Sequence, residues 1–373
     1  MGLASVALAA DVSDPFIKEV LIIGTKEQKQ TLPGSGIQIG VEELRKQSYT
    51  DLNQIVSSVP GVYVREEDGY GLRPNIGIRG ATAERSQKVT LLEDGVLIAP
   101  APYSAPAAYY ITNAARLYAV EVLKGPSAIQ SGPHTVGGTI NLITRPVPSE
   151  NFAEIDLTAG SDGYRKVAGA VGYAEENVGV LLEAFSYGSD GFKKLNSGAE
   201  TGFIRNDVNL KLRWQPDTTL PQIVTLKIGF ADEDADETYL GLTDADFEVQ
   251  PERRYSASQL DHFQSDHKQI HLNHSITFDA DLELVTKIYA NQYHRSWNKL
   301  DGFIDGPKIQ DVLLSPSAYL SAYRVLQGTQ DSTIGDFTDL TIDVTDNDRE
   351  YTSNGIQFDL SKSLTALGLE HNI

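Results

Sequence analysis

The sequence predicts two architectures in series: a compact α+β domain, then a run of long antiparallel strands of the kind that wall a membrane barrel. Three observations predict it. The amino-terminal third mixes short helical and β-prone segments separated by Gly-containing turns. Beyond Pro146 apolar and polar residues alternate at period two. The connectors between those alternating runs are short and long in turn.

Composition narrows the function classes. The chain has 373 residues, with 31 basic against 51 acidic side chains and a formal charge of -20. So acidic a balance argues against nonspecific nucleic-acid binding, which needs a basic surface. A few local arginines can still bind an anion. With no cysteine there is neither a disulfide framework nor a thiolate metal site. The seven histidines are scattered without zinc-ligand spacing. No apolar run approaches the ~18 residues of a transmembrane helix, a criterion blind to membrane strands.

The first residues, Leu3 to Ala10, are small and apolar, and Ala7-Leu8-Ala9 forms an A-x-A cleavage pattern. Residues 1–10 therefore read as a signal-peptide remnant without its basic n-region, the alternative being a disordered terminus. Glu19-Val20-Leu21-Ile22-Ile23 is a short β-prone run that could pair with another protein by strand addition.

The α+β domain is expected over residues 38–148. Gly40 to Lys46 and Asp51 to Ser58 read as short helices. In the second, Leu52, Ile55, Val56 and Val59 fall at helical spacing, Thr50 or Asp51 caps the start, and Pro60-Gly61 ends it. Strands follow at Val62–Val64, Asn75–Arg79, Lys88–Leu92, Val96–Ala99, Ala119–Leu123 and Gly138–Thr144.

Residues 149–373 carry the alternation. Val208, Leu210, Leu212 and Trp214 interleave with Asp207, Asn209, Lys211 and Arg213, and Ile270, Leu272, Ile276 and Phe278 with polar neighbours. A soluble sandwich alternates too, but these runs are about ten residues or longer, as a tilted membrane strand requires. Short connectors fall near 175–177, 215–221, 279–281 and 365–368; long ones span 232–266 and 298–348. Eight strands are expected, with a ninth starting at Leu369. An open edge in lipid leaves backbone groups unpaired, so the chain reads as a fragment of a larger barrel.

Five motifs in order make the reading specific. Leu52 to Val62, ending Pro60-Gly61-Val62, resembles the L-x-x-x-P-G-V signature of TonB-dependent outer-membrane receptor plugs. Ile78-Arg79-Gly80 resembles their I-R-G strand, and Asp94-Gly95-Val96 their D-G-V turn. Val120-Glu121-Val122-Leu123-Lys124-Gly125-Pro126 resembles V-E-V-x-R-G-P, and Gly137-Gly138-Thr139-Ile140-Asn141 resembles G-G-x-I-N. The resemblance implies an α+β plug domain followed by an antiparallel transmembrane β-barrel, here eight or nine strands of about 22. It makes residues 11–37 a periplasmic segment with Glu19 to Ile23 as TonB box. It implies TonB as partner, with its energising inner-membrane complex, and location in the outer membrane of a Gram-negative bacterium.

The same resemblance implies that Arg79 and Lys124 lock the plug against barrel glutamates. Lys124 stands where the family has arginine and loses the planar fork; both could instead be solvated charges. Within the family, Ala101-Pro102-Tyr103-Ser104-Ala105-Pro106 and the stretch Glu237 to Asp261 resemble the ferric dicitrate type. The implied function is energy-coupled uptake of a ferric chelate, without catalysis and without a resident cofactor. Candidate ligand residues are Arg73, Arg85, Tyr103, Arg253 and Arg254, because guanidinium forks suit anionic chelates and tyrosine adds rigid area with one donor. The adjacent pair Arg253–Arg254 is the first choice. The acidic run Asp232 to Glu237 lacks the spacing of a calcium loop and reads as a solvated loop. Another cargo, cobalamin or an oligosaccharide, is an alternative, as is a β-rich surface binding protein or glycan hydrolase.

Overall fold

The computed structural model describes residues 34–98, 110–132, 134–279, 282–331, 340–366 and 369–372. The signal remnant, the run Glu19 to Ile23 and Tyr103 lie outside the described residues.

The first domain opens with β1 (Ser35–Ile39), α1 (Val41–Gln47) and α2 (Leu52–Ser57). Asp51 caps α2, its carboxylate accepting from the Asn53 amide at 2.7 Å. The chain continues through β2 (Val62–Arg65), β3 (Asn75–Ile78), β4 (Val89–Glu93), β5 (Val96–Leu97), β6 (Leu117–Lys124) and β7 (Gly138–Thr144). Five strands form one sheet in the order β1-β6-β7-β4-β5, while β2 and β3 pair as a separate hairpin. Helical spacing turns Leu52, Ile55 and Val56 onto this sheet, where they join Ile76, Ile78, Leu91, Val120, Val122, Ile140 and Leu142 in one buried core. Each such aliphatic side chain contributes about 1.5–3 kcal/mol by leaving water.

From Phe152 the chain becomes an up-and-down antiparallel meander. Its strands are β8 (Phe152–Ala159), β9 (Arg165–Ala174), β10 (Val178–Ser189), β11 (Phe203–Trp214), β12 (Gln222–Ala235), β13 (His262–Asp279), β14 (Leu282–Phe303), β15 (Ile342–Asp346), β16 (Arg349–Ala366) and β17 (Leu369–Asn372). Each pairs with its chain neighbour, except that β14 pairs its upper part with β15 and its lower part with β16. Asn347 donates its amide to the Trp297 carbonyl at 3.0 Å between them, so β15 and β16 act as one long strand with an interruption. Among the described residues, eight long strands and the start of another at Leu369 match the expected count, β15 being the upper arm of the last long one.

Burial on the meander is inverted relative to a water-soluble sheet. Ile204, Val208, Ile228, Phe230, Ile270, Ile288, Ile356 and Phe358 are exposed, whereas Asp207, Lys211, Lys227, Gln269, His271 and Lys287 are buried. The apolar set lies on the outer face and the polar set faces the first domain. An outer face of that composition is matched to hydrocarbon, and a polar lumen to a solvated interior. Tyr173, Trp214 and Phe278 are exposed beside the short turns, where interfacial aromatics belong. Among the described residues no helix is long and apolar enough to cross a membrane.

The strands outrun their expected ends. β12, β13 and β14 have 14, 18 and 22 residues, more than the ~9–11 needed to cross a bilayer. The acidic run expected as a solvated loop is largely the upper end of β12. Asp232 and Asp234 face outward, bonding Asn206 and Gln264, and Glu233 faces the interior. Polar residues on both faces hide a strand end from a period-two reading. The long connectors are also structured: α3 (Asp244–Val249) lies in one, α4 (Ile309–Leu314) and α5 (Leu320–Gln327) in the other. Tyr255, Leu300, Phe303, Val312, Val325 and Leu326 form a core between them.

Candidate functional site

The first domain is held against the strand wall by a buried charge cluster. At the end of β4 the chain turns through Asp94 and Gly95 at φ 52° and 78°, a left-handed pair that suits Gly and tolerates Asp. This turn places two adjacent carboxylates at the seam. Asp94 accepts the Thr144 amide at 2.8 Å and hydroxyl at 2.7 Å, which ties it to β7. Its second oxygen also faces the Lys227 ammonium at 2.7 Å and that of Lys211 at 3.7 Å. Glu93 pairs with Lys227, accepts the Gln269 amide at 3.0 Å and the Tyr110 hydroxyl at 3.1 Å, and also takes the Thr112 hydroxyl. Arg116 stands 3.6 Å from Glu93 and 3.4 Å from Asp207 on β11.

Lys211 and Lys227 reach this cluster because alternation on β11 and β12 turns odd-numbered side chains inward. Burial alone would raise the Glu93 carboxyl, but Lys227 and Arg116 hold it well below its usual pKa. Burial likewise opposes ionisation of Asp94, and Lys211 with Lys227 outweigh it and lower its pKa. The neighbouring cations thus favour the charged form of both carboxylates, and the cluster ties first domain to wall by ion pairs that are screened much less than surface pairs.

Above it, Arg73 pairs with Glu233 on β12 at 2.5 Å and lies 3.6 Å over the Phe263 ring. With Leu72, Tyr110, Arg205, Glu233 and His267 it lines a small polar cleft buried in the seam. The Tyr110 and His267 rings stack there, 3.8 Å apart. Arg73 is thus a seam residue, with its side chain 8% exposed, rather than an open ligand contact.

Arg85 sits differently. Its Nη1 pairs with Glu67 Oε1 at 2.7 Å, with side chains 23% and 12% exposed. The guanidinium lies 5.1 Å from the Trp297 ring and 5.8 Å from the Tyr239 ring, both from the wall and its loop. Asn75 joins the pair, donating to Glu67 Oε2 at 2.8 Å and accepting the Arg85 amide at 2.8 Å. Arg85 and Ser86 are consecutive left-handed residues, φ 51° and 54°, a conformation costing bulky side chains about 1–2 kcal/mol each. The Ser86 hydroxyl offsets it by accepting the Ile76 amide at 2.9 Å and donating to the Pro74 carbonyl at 2.8 Å.

Arg253 and Arg254 do not converge. Arg253 pairs with Asp246 at 2.8 Å. Arg254 is 3% exposed and spent on its own loop, bonding Ser258 Oγ at 3.1 Å, the Ser258 carbonyl at 2.5 Å, and the Asp236 and Asp261 carbonyls. Asp246 also accepts the Tyr255 and Tyr323 hydroxyls at 2.6 and 2.5 Å, so it joins the two long connectors. The adjacency that made this pair the first choice is divided by the backbone: the side chains serve different partners within the connectors.

Arg79 is exposed, at φ 53°. Lys124 donates to the Pro60 carbonyl at 2.7 Å, and burial with the neighbouring Arg79 charge lowers its pKa. Among the described residues no carboxylate forms an ion pair with either. Glu93, Lys211 and Lys227 carry no motif in the sequence that marks them as a site. Their signal was faint: two acids at a strand end, and lysines on faces whose apolar partners look outward.

Among the described residues no group of His, Cys, Asp and Glu is arranged to hold a metal ion. The arrangement is that of a domain clasped inside a strand wall beneath partly structured loops, which suits gated passage.

Comparison with known proteins agrees with that geometry. Residues 28–139 match the family model of the TonB-dependent receptor plug domain. The vitamin B12 transporter BtuB of Photobacterium profundum is 28% identical over 222 residues, 54% of this chain and 36% of the relative. BtuB of Vibrio vulnificus is 24% identical over 298 residues, 78% of this chain and 44% of the relative. The chain therefore spans less than half the length of these curated relatives. Among solved structures, the unliganded ferric citrate transporter FecA superposes with a TM-score of 0.73 at 19% identity, covering 96% of this chain and 48% of that one. The ferric yersiniabactin receptor FyuA of Yersinia pestis gives 0.62 at 20%, covering 74% and 43%. At such identities the structures speak for the fold.

Proposed function

We propose that this chain, which carries the plug domain and antiparallel barrel strands of a TonB-dependent receptor, works in energy-coupled import of an iron chelate across the outer membrane. The observation that carries the reading is the clasp of Glu93 and Asp94 to Lys211 and Lys227, which seats the plug within a wall of lipid-facing strands. Cargo would settle from outside between plug loops and the long connectors. Occupancy would be passed to the amino-terminal segment, where Glu19 to Ile23 are proposed as the strand that TonB grips. The pull would then rearrange the plug. The work would come from the inner membrane through TonB, and the protein's part is binding and gating rather than catalysis.

The proposed cargo is an anionic ferric chelate such as ferric dicitrate. Arg85 supports this, as a guanidinium at the plug surface with a fork suited to carboxylates. Arg79 and Lys124 are proposed to meet carboxylates of barrel strands other than those described. A second reading, cobalamin, is favoured by the curated relatives, which are named as vitamin B12 transporters. Calorimetric titration of the intact receptor with ferric dicitrate and with cyanocobalamin decides. Binding of ferric dicitrate alone is the expected result; binding of cyanocobalamin alone would replace the cargo assignment.

A further inference from the structure

We infer that Glu67 is a built-in competitor for the cargo: its carboxylate occupies Arg85, and an anionic cargo takes its place. The inference rests on the reading of this chain as a receptor for an anionic chelate, and it names the residue that sets that site's affinity.

Of the described arginine candidates, Arg85 is the one whose bond a ligand can exchange without dismantling the fold. Arg73 and Arg254 are almost wholly buried, at 7% and 3% exposed. The partner of Arg253 is Asp246, whose two tyrosine hydroxyls pin the connector core. Arg85 and Glu67 are only partly buried, and the ion pair holds one nitrogen to one oxygen at 2.7 Å. A guanidinium has five donors in a planar fork. A chelate carboxylate with both oxygens free can engage two of them, a stronger arrangement than the single contact with Glu67.

The surroundings hold Arg85 in place during such an exchange. Its backbone amide is fixed by Asn75 Oδ1, and its guanidinium lies near the Trp297 and Tyr239 rings. These bonds do not involve Glu67. Displaced Glu67 would be repelled by the anion and lose its bond from Asn75 Nδ2. Asn75 is the first residue of β3, and Glu67 precedes a loop whose amides at Tyr70, Leu72 and Arg73 are gathered by Asp68. Exchange at Arg85 therefore loosens the tie between that loop and the plug hairpin, next to the Arg73 contact with the wall.

The test is calorimetric titration of ferric dicitrate into the intact receptor and two variants, with melting temperatures as a check on folding. Glu67→Gln is isosteric and removes the competing charge. It is expected to tighten binding about fivefold, the size of a partly exposed ion pair worth about 1 kcal/mol. Arg85→Gln is expected to weaken binding at least tenfold. A purely structural pair predicts loss of affinity in both. Unchanged or weaker binding by a normally melting Glu67→Gln would overturn the inference while leaving the cargo assignment intact. Wild-type receptor that binds cyanocobalamin and no ferric dicitrate would instead overturn the cargo assignment, and the inference with it.

Discussion

Lys227 on β12 and Glu93 at the end of β4 stand 134 residues apart in the chain and meet as an ion pair inside the plug–wall seam. Their side chains are 4% and 0% exposed. Replacing Lys227 by Met would take from Glu93 the nearer of its two cations, leaving Arg116 at 3.6 Å, and from Asp94 the nearer of its two lysines, in a buried site. Removing one partner of a buried pair costs about 3–5 kcal/mol. The expected result is a plug that becomes protease-sensitive at lower urea than in wild type, with the barrel unaffected. Adding Glu93→Gln to Lys227→Met should recover part of the loss. A double variant worse than Lys227→Met by the full cost of Glu93→Gln would show that the two do not interact.

Asp51 gives the plug an unusual pH dependence. Burial, with Glu66 and Asp68 nearby, pushes its pKa from 3.8 to about 7, although the Asn53 amide pulls the other way. For an acid whose folded pKa is raised, the native state holds a proton that the unfolded chain has released. This contribution favours folding fully below about pH 4, is lost as pH rises towards 7, and is level above. Asp51→Asn keeps a good helix cap without the charge. It should raise the plug's urea midpoint at pH 8 and change it least at pH 4. Equal effects at both would contradict the shift.

Arg254 is expected to act on loop order. Without it, the carbonyls of Asp236, Ser258 and Asp261 lose a buried charged donor, at a cost of about 1–3 kcal/mol. Arg254→Ala should open the 236–261 connector to limited proteolysis, whereas Arg253→Ala, at a partly exposed pair of a single bond, should change it less. Equal protection of the two variants would argue against the buried assignment.

The outer face of the meander makes a lipid prediction. Ile228 and Ile270 sit opposite each other in register, 43% and 48% exposed. Arg at either position should destabilise the folded receptor in bilayers by about 2–4 kcal/mol if it lies near the midplane. Arg at an exposed site of the long connector, such as Val249, should be nearly neutral. Equal tolerance in reconstituted vesicles would show that this face does not meet hydrocarbon.

Much of the fold was legible because each element obeys a local rule. Spacing along Leu52, Ile55 and Val56 gave a helix, and Asp51 its cap. Alternation gave β11 and β13, since one face is apolar and exposed and the other is polar and turned to the first domain. Legibility failed where the rule changes. At its upper end β12 carries polar residues on both faces, so Asp232 to Ala235 looked like loop. The site was less legible still. Arg253 and Arg254 are neighbours in sequence, but the backbone sends them to different partners. Glu93 and Lys227 are brought together only by the docking of plug and wall, and no local pattern announces such a contact. Arg85 was visible as a loop arginine; its competitor Glu67 was not, because their meeting depends on how two plug loops fold over Asn75.

A clasped plug in an energised importer should move cargo only when TonB pulls. The most direct test is accumulation of radioactive iron, supplied as ferric dicitrate, by cells making the intact receptor, with and without TonB. Uptake above the receptor-free background is expected when TonB is present, and surface binding without accumulation when it is absent. Equal accumulation in both strains, or none in either despite a correctly inserted receptor, would contradict it.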